Sequence, residues 1–177
     1  MVNKKKRVSR VVILGSKSFI AKSLINNLKK KNIEIVEVSR VNVDFSNKLN
    51  SNKLKDYIQD GDSIFFVAAN APVKNIEMLF ENIQICQNIC DAIKGRDISH
   101  IAYVSSDAVY KDSPNQINEE SAAEPNSLHG LMHLTREKIL ESFFYESLCI
   151  IRPTLIYGKD DPHNGYGPNM FIRKANR

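Results

Sequence analysis

Cysteine is scarce in this chain: Cys86, Cys90 and Cys149 are the only three in 177 residues, odd in number and without a CxxC pair. That excludes a disulfide framework and reads instead as reduced, buried thiols. No apolar run reaches the roughly 18 residues that a spanning helix needs. The start, Asn3-Lys4-Lys5-Lys6-Arg7, passes straight into a strand rather than into the apolar core of a signal peptide. A cytoplasmic location with no membrane partner is the resulting expectation. Internal repeats and low-complexity linkers are also lacking. The net charge of +5 is fed by residues 4–7 and 29–31, a solvated tail and a helix end where cations suit the macrodipole. Without an aromatic-lined platform or a binding motif beside it, this charge does not point to nucleic acid.

The rest of the composition is that of an ordinary globular domain, 42% hydrophobic and 25% charged, long enough to bury one real core. Apolar runs alternate with helical periodicity. Strands are expected over 8–14, 33–38, 63–69, 98–105 and 148–152, with a short one over 41–44. Helices are expected over 18–30, 51–59, 77–94 and 128–147, with Gly95 closing the third and Pro153 halting the last strand. Strands that alternate with helices imply an α/β fold, a doubly wound parallel sheet with right-handed crossovers and its ligand site at the carboxyl ends of the strands.

The most informative stretch is Val11-Val12-Ile13-Leu14-Gly15-Ser16-Lys17-Ser18-Phe19-Ile20-Ala21, a buried strand, a tight turn and a helix start. A residue without Cβ at Gly15 lets the backbone approach a diphosphate, and the helix start at Ser18, Phe19 and Ile20 supplies N–H donors and a positive dipole end. Glycines are missing at Ser18 and Ala21, where a dinucleotide fingerprint has them, so an ordinary strand-to-helix turn capped by Ser18 is the alternative. An acidic residue is missing as well at the end of the second strand, where Val38-Ser39-Arg40 stands. This removes the usual acceptor for an adenosine ribose 2′-hydroxyl. Arg40 would instead pair with a 2′-phosphate, favouring NADP over NAD, or else be a solvated strand-end charge.

Taken in order, the Gly15 turn, Val43-Asp44-Phe45-Ser46, Val67-Ala68-Ala69-Asn70, Tyr103-Val104-Ser105-Ser106-Asp107-Ala108-Val109-Tyr110 and Ile151-Arg152-Pro153-Thr154-Leu155-Ile156-Tyr157-Gly158 resemble the extended short-chain dehydrogenases, the NAD-dependent epimerase/dehydratase family. The resemblance implies a Rossmann-type NAD(P)-binding domain over 1–158. Asp44 and Phe45 would then lie at the adenine, and Ala68, Ala69 and Asn70 along the phosphates and ribose. Ser105 would also line the coenzyme, with Ser106 beside the substrate hydroxyl or carbonyl and Pro153 near the nicotinamide. Locally, Ser105 and Ser106 also read as a polar strand end capped by its own hydroxyls. Asp107 matches the acid of the dehydratase members, but Ala108 stands where those members have a glutamate, so epimerisation or reduction is favoured over dehydration.

The same resemblance calls for Tyr and Lys where this chain has His129 and His133. At i and i+4 the two histidines share one helix face, with Glu137 a turn further on. An imidazole base at His129 is chemically plausible, since its reference pKa of about 6.5 lies near working pH, but the ring is shorter than a phenol and would reach substrate through a water. The pair would hold at most one proton near neutrality. Three readings stay open: an oxidoreductase or isomerase acting on a nucleotide sugar, with Ser106, His129 and His133 in the catalytic roles; a cofactor-binding protein without turnover; and a metal site on His129 and His133 with Glu137, His100 or His163. The last has no glutamate after the first histidine and no fixed third ligand, so no metal residue is assigned. The family's substrate domain extends well past this length. Residues 159–177 would only begin it, leaving a C-terminal portion missing or supplied by a partner chain and predicting self-association through uncovered apolar surface.

Overall fold

The computed structural model describes residues 8–113, 115–158, 161 and 167–176. Five strands form one sheet: β1 (Arg10–Leu14), β2 (Glu34–Val38), β3 (Ser63–Phe66), β4 (His100–Val104) and β5 (Leu148–Ile151). All pairs are parallel, in the order β2-β1-β3-β4-β5. The helices are α1 (Phe19–Lys29), a single turn α2 (Lys48–Ser51), α3 (Ile76–Ile93), α4 (Leu128–Phe144) and α5 (Gly167–Ala175).

Alternation along β1 divides the core. Val11 and Ile13 pack with Ala21 and Ile25 of α1 on one face. Val12 and Leu14 face the other side, with Phe66, Ile85, Ile89, Tyr103 and Leu140 under α3 and α4. Both faces are thus covered, as an all-parallel sheet requires, and the doubly wound fold is present. Chain order reverses between β1 and β3, so the carboxyl ends of β1, β2 and β3 border the crevice where such sheets take ligands.

Three expectations are corrected. Residues 41–44 form a turn, not a strand: the Asn42 and Val43 N–H groups both donate to the Ser39 carbonyl at 2.9 Å, and Asn42 Oδ1 accepts from Ser39 N–H and Oγ–H. Local Asn and Ser hydrogen bonds override the apolar alternation; Val43 is buried while Val41 is 92% exposed. The helix expected over 51–59 is α2, capped by Asn47, followed by a 3₁₀ turn, Asn52–Asp56. Cys149 is exposed, because it lies on the outer strand β5, whereas Cys86 and Cys90 are buried.

The amino end of the sheet is tied by Arg10. Its guanidinium donates to Asp62 Oδ2 (2.5 Å), Glu34 Oε1 (2.9 Å) and the Tyr57 carbonyl (3.1 Å), joining β1, β2 and the approach to β3. Among the described residues no helix is long and apolar enough to cross a membrane. Leu155, Ile156, Tyr157, Phe171 and Ile172 lie exposed beyond β5 and on α5.

Candidate functional site

A cleft of about 280 Å³ opens at the carboxyl ends of β1, β2 and β3, at the reversal of strand order. Gly15 turns the chain there with φ +95°, and a Cβ at this position would stand 2.7 Å from Ala68 N and 2.8 Å from Ala68 Cα. Only glycine combines that φ with that approach. Ser18 then caps α1, its Oγ accepting the Ala21 N–H at 3.1 Å, so the expected cap is present. Two other loops form the walls. Arg40, Asp44, Phe45 and Ser46 follow β2, and Val67, Ala68, Ala69 and Asn70 follow β3.

Both walls hang on α3. Asn82, wholly buried, accepts the Asn70 N–H (2.9 Å) and donates back to the Asn70 carbonyl (2.9 Å). Asn88, also buried, donates to the Phe45 carbonyl at 2.8 Å. At the rim, Ser46 hydrogen bonds, helped by Arg40 at 3.7 Å, hold the Asp44 carboxyl below the usual carboxylate range. Arg40 is exposed and lies between Asp44 and Glu81, the latter at 3.6 Å. Lys17, Ser39, Ser46 and Ile85 line the cleft as well. Sequence reasoning assigned them no role, although Lys17, Ser39 and Ser46 lie within the very motifs that were read.

Eight of the expected coenzyme residues therefore surround one cleft: Gly15, Ser18, Arg40, Asp44, Phe45, Ala68, Ala69 and Asn70. Phe19, Ile20, Ser105 and Pro153 are off its lining. Phe19 packs against Gly158, where an added Cβ would meet its ring at 2.9 Å. Ser105 is buried and donates to Glu137 Oε1 at 2.5 Å. The Pro153 carbonyl accepts the Asp107 N–H at 3.1 Å.

The second half of the site lies on α4 and the 3₁₀ turn Asp107–Val109. They meet at Gly130, whose hydrogen faces the Ala108 carbonyl so closely that a Cβ would overlap it. Ser106 opens the turn: its Oγ accepts the Ala108 N–H and donates to Asp107 Oδ1, each at 3.1 Å. His129, one residue before the contact, is half-buried and its Nδ1 has no partner among the described residues. Burial lowers its pKa, with the Asp107 charge opposing.

His133 is more deeply buried. Tyr103 Oη lies 2.8 Å from its Nδ1, and its ring stands edge-on to His129, centroids 4.8 Å apart. Burial foremost, then the charges of Arg136 and His129, push its pKa down to about 3. Burial raises the Tyr103 pKa, so the phenol keeps its proton, and a single hydrogen joins Tyr103 Oη to Nδ1 of a neutral His133. Glu137 is fully buried and held by Arg152 through two bonds of 2.7 and 3.0 Å. A metal set on this face is not supported: Glu137 is committed to Arg152, and no cluster of metal-ligating side chains occurs among the described residues. His163 lies outside them.

A curated relative, the Escherichia coli O157:H7 N-acetyl-alpha-D-glucosaminyl-diphospho-ditrans,octacis-undecaprenol 4-epimerase, is 29% identical over 90 residues, 48% of this chain and 27% of its own. Among solved structures, a dTDP-4-dehydrorhamnose reductase from Bacillus anthracis in complex with NADP is 22% identical, with a TM-score of 0.78 over 97% of this chain and 61% of that one. A GDP-D-glycero-L-gluco-heptose synthase from Campylobacter jejuni, solved in the presence of NADPH, is 18% identical, with a TM-score of 0.77 over 94% and 54%. The chain thus spans about a quarter of the curated relative and little more than half of the solved ones. Over residues 11–177 the sequence matches the model of the NAD dependent epimerase/dehydratase family, and the chain belongs to that family.

Proposed function

We propose that this protein binds a nicotinamide dinucleotide, NADP in preference to NAD, in the Gly15 cleft and moves hydride to or from a carbon of a nucleotide-linked sugar. One observation carries the reading: Gly15, at φ +95° and pressed against Ala68, admits no side chain, so the turn presents backbone to the cleft below the start of α1. The Gly15, Ser16, Ser18 and Ala21 N–H groups bond within the fold, so a diphosphate would take the remaining amides of the helix start and its positive dipole end. Arg40 at the rim offers a planar fork suited to a 2′-phosphate, and no carboxylate ends β2 to receive a 2′-hydroxyl. A structural neighbour named as a dTDP-sugar reductase supports the nucleotide-linked class, while the curated 4-epimerase, named for an undecaprenol-linked sugar, supports only a sugar carried on a diphosphate. Residues from 159 onward would begin the substrate-binding part.

A bound coenzyme of this kind supplies or accepts the hydride. The chain's own task is to move one proton at the sugar oxygen. His129, neutral near pH 7, takes that proton through a water when a hydroxyl is oxidised and returns it when the carbonyl is reduced. Ser106 orients the oxygen, giving up its bond to Asp107. His133 stays neutral and serves as a spacer between Tyr103 and His129 rather than as a cation.

Fluorescence titration with NADPH and NADH tests the site, and NADPH is expected to bind more tightly. No binding of either at millimolar concentration overturns the reading. With a panel of nucleotide sugars, His129→Ala is expected to lose about 10²-fold or more in turnover, the usual size of an acid/base contribution. A parent that binds coenzyme yet turns over none of the panel removes the hydride-transfer step.

A further inference from the structure

We infer that Arg136 is a positioning residue of the coenzyme cleft: from beneath, its guanidinium holds the Ala68 carbonyl and thereby presents the Ala69 N–H to an anionic oxygen of the dinucleotide. The inference rests on the coenzyme reading above and deepens it.

Arg136 is 1% exposed, the bulkiest of the fully buried side chains. Its guanidinium lies 4.5 Å from the Phe66 ring centroid and 5.2 Å from that of Tyr103. Its Nη1 reaches the Met132 sulfur at 3.7 Å, its Nε has no hydrogen-bond partner among the described residues, and its charge bears on the buried Cys86 thiol, whose pKa a hydrogen bond with Cys90 chiefly lowers and this charge helps to lower. The neighbouring carboxylate, Glu137, is occupied by Arg152, and Arg136 forms no ion pair among the described residues. A guanidinium is always charged, and burying it unpaired costs stability that stacking on two rings recovers only in part. Packing alone would be served better by methionine or leucine, so the charge itself has a task.

Its one strong acceptor identifies that task. Arg136 Nη2 donates to the Ala68 carbonyl at 2.8 Å, at the end of the β3 wall. A trans peptide is planar, with its C=O and N–H pointing in opposite directions. Drawing the Ala68 carbonyl inward toward α4 therefore turns the Ala69 N–H outward. Ala68 and Ala69 both line the cleft. Val67 N–H is taken by the Leu14 carbonyl and Asn70 N–H by Asn82, which leaves the Ala68 and Ala69 N–H groups between them without an internal acceptor among the described residues. A charge-assisted bond at the carbonyl also polarises the peptide, which makes that N–H a stronger donor. With His133 neutral, Arg136 is the fixed positive charge below this wall.

The test compares the full chain with Arg136→Met in three measurements: thermal stability, NADPH affinity, and the amide nitrogen resonance of Ala69 without coenzyme. The variant is expected to keep or gain stability, to bind NADPH about tenfold more weakly, the loss of one charge-assisted hydrogen bond, and to displace the Ala69 resonance. Unchanged affinity, or an unmoved Ala69 resonance, overturns the inference. If Arg136→Met does not fold, Arg136→Gln, which keeps part of the stem without the charge, is read the same way. A parent that binds neither coenzyme overturns the coenzyme reading, and the ligand named here with it; a parent that binds NADPH as tightly as the variant leaves that reading standing and removes only the role of Arg136.

Discussion

A histidine pressed between a tyrosine, an arginine and a second histidine titrates unlike one in water. With its native pKa lowered to about 3 from the reference 6.5, His133 takes up a proton in the unfolded chain well before it does in the native one. Its contribution to stability is therefore complete above about pH 6.5 and is lost progressively as pH falls from there toward 3. Urea unfolding at pH 7.5 and pH 5 should show the parent weaker at pH 5, with His133→Gln losing distinctly less between the two conditions; equal losses would contradict the burial of a neutral ring. The histidine pair itself was legible from i, i+4 spacing against the family pattern. Arg136 was not, since an arginine next to a glutamate on a mixed helix ordinarily faces solvent, and only the fold shows it turned inward beneath Ala68.

Elements were read well where hydrophobic period dominates and poorly where side chains bond their own backbone. The five strands of the sheet and helices α1, α3 and α4 follow from apolar alternation and helical spacing. The error over 41–44 arose because Asn42 folds back on Ser39, which no periodicity reveals. The third strand stops at Phe66, short of the expected 69, because Ala68 and Ala69 leave the ladder to wall the cleft. Helix α3 was recognised as a helix, but its two buried asparagines gave no sign of their partners, which lie in loops far off in sequence. Asn88→Ala removes the donor to the Phe45 carbonyl. It should cost about 1–3 kcal/mol of stability and weaken NADPH binding several-fold by loosening the wall that follows β2, measured by chemical denaturation and fluorescence titration together.

Over the whole molecule, Leu155, Ile156, Tyr157, Phe171 and Ile172 are the exposed apolar residues beyond β5 and on α5. The ion-paired knot at Arg10 holds the amino end of the sheet, where Asp62 is buried and also accepts the Gln59 N–H at 2.8 Å. Arg10→Met strands that carboxylate and should lower stability by about 3–5 kcal/mol, seen as an earlier urea midpoint. NADPH affinity of the folded fraction should stay at the parent value.

That knot sits at the amino end of the sheet and the Gly15 turn at the carboxyl end, so the protein has two poles that answer to different demands. Substitutions at the cleft residues Lys17, Arg40 and Asp44 on the upper pole leave the lower one to keep the scaffold intact, which makes this sheet a forgiving host for engineering.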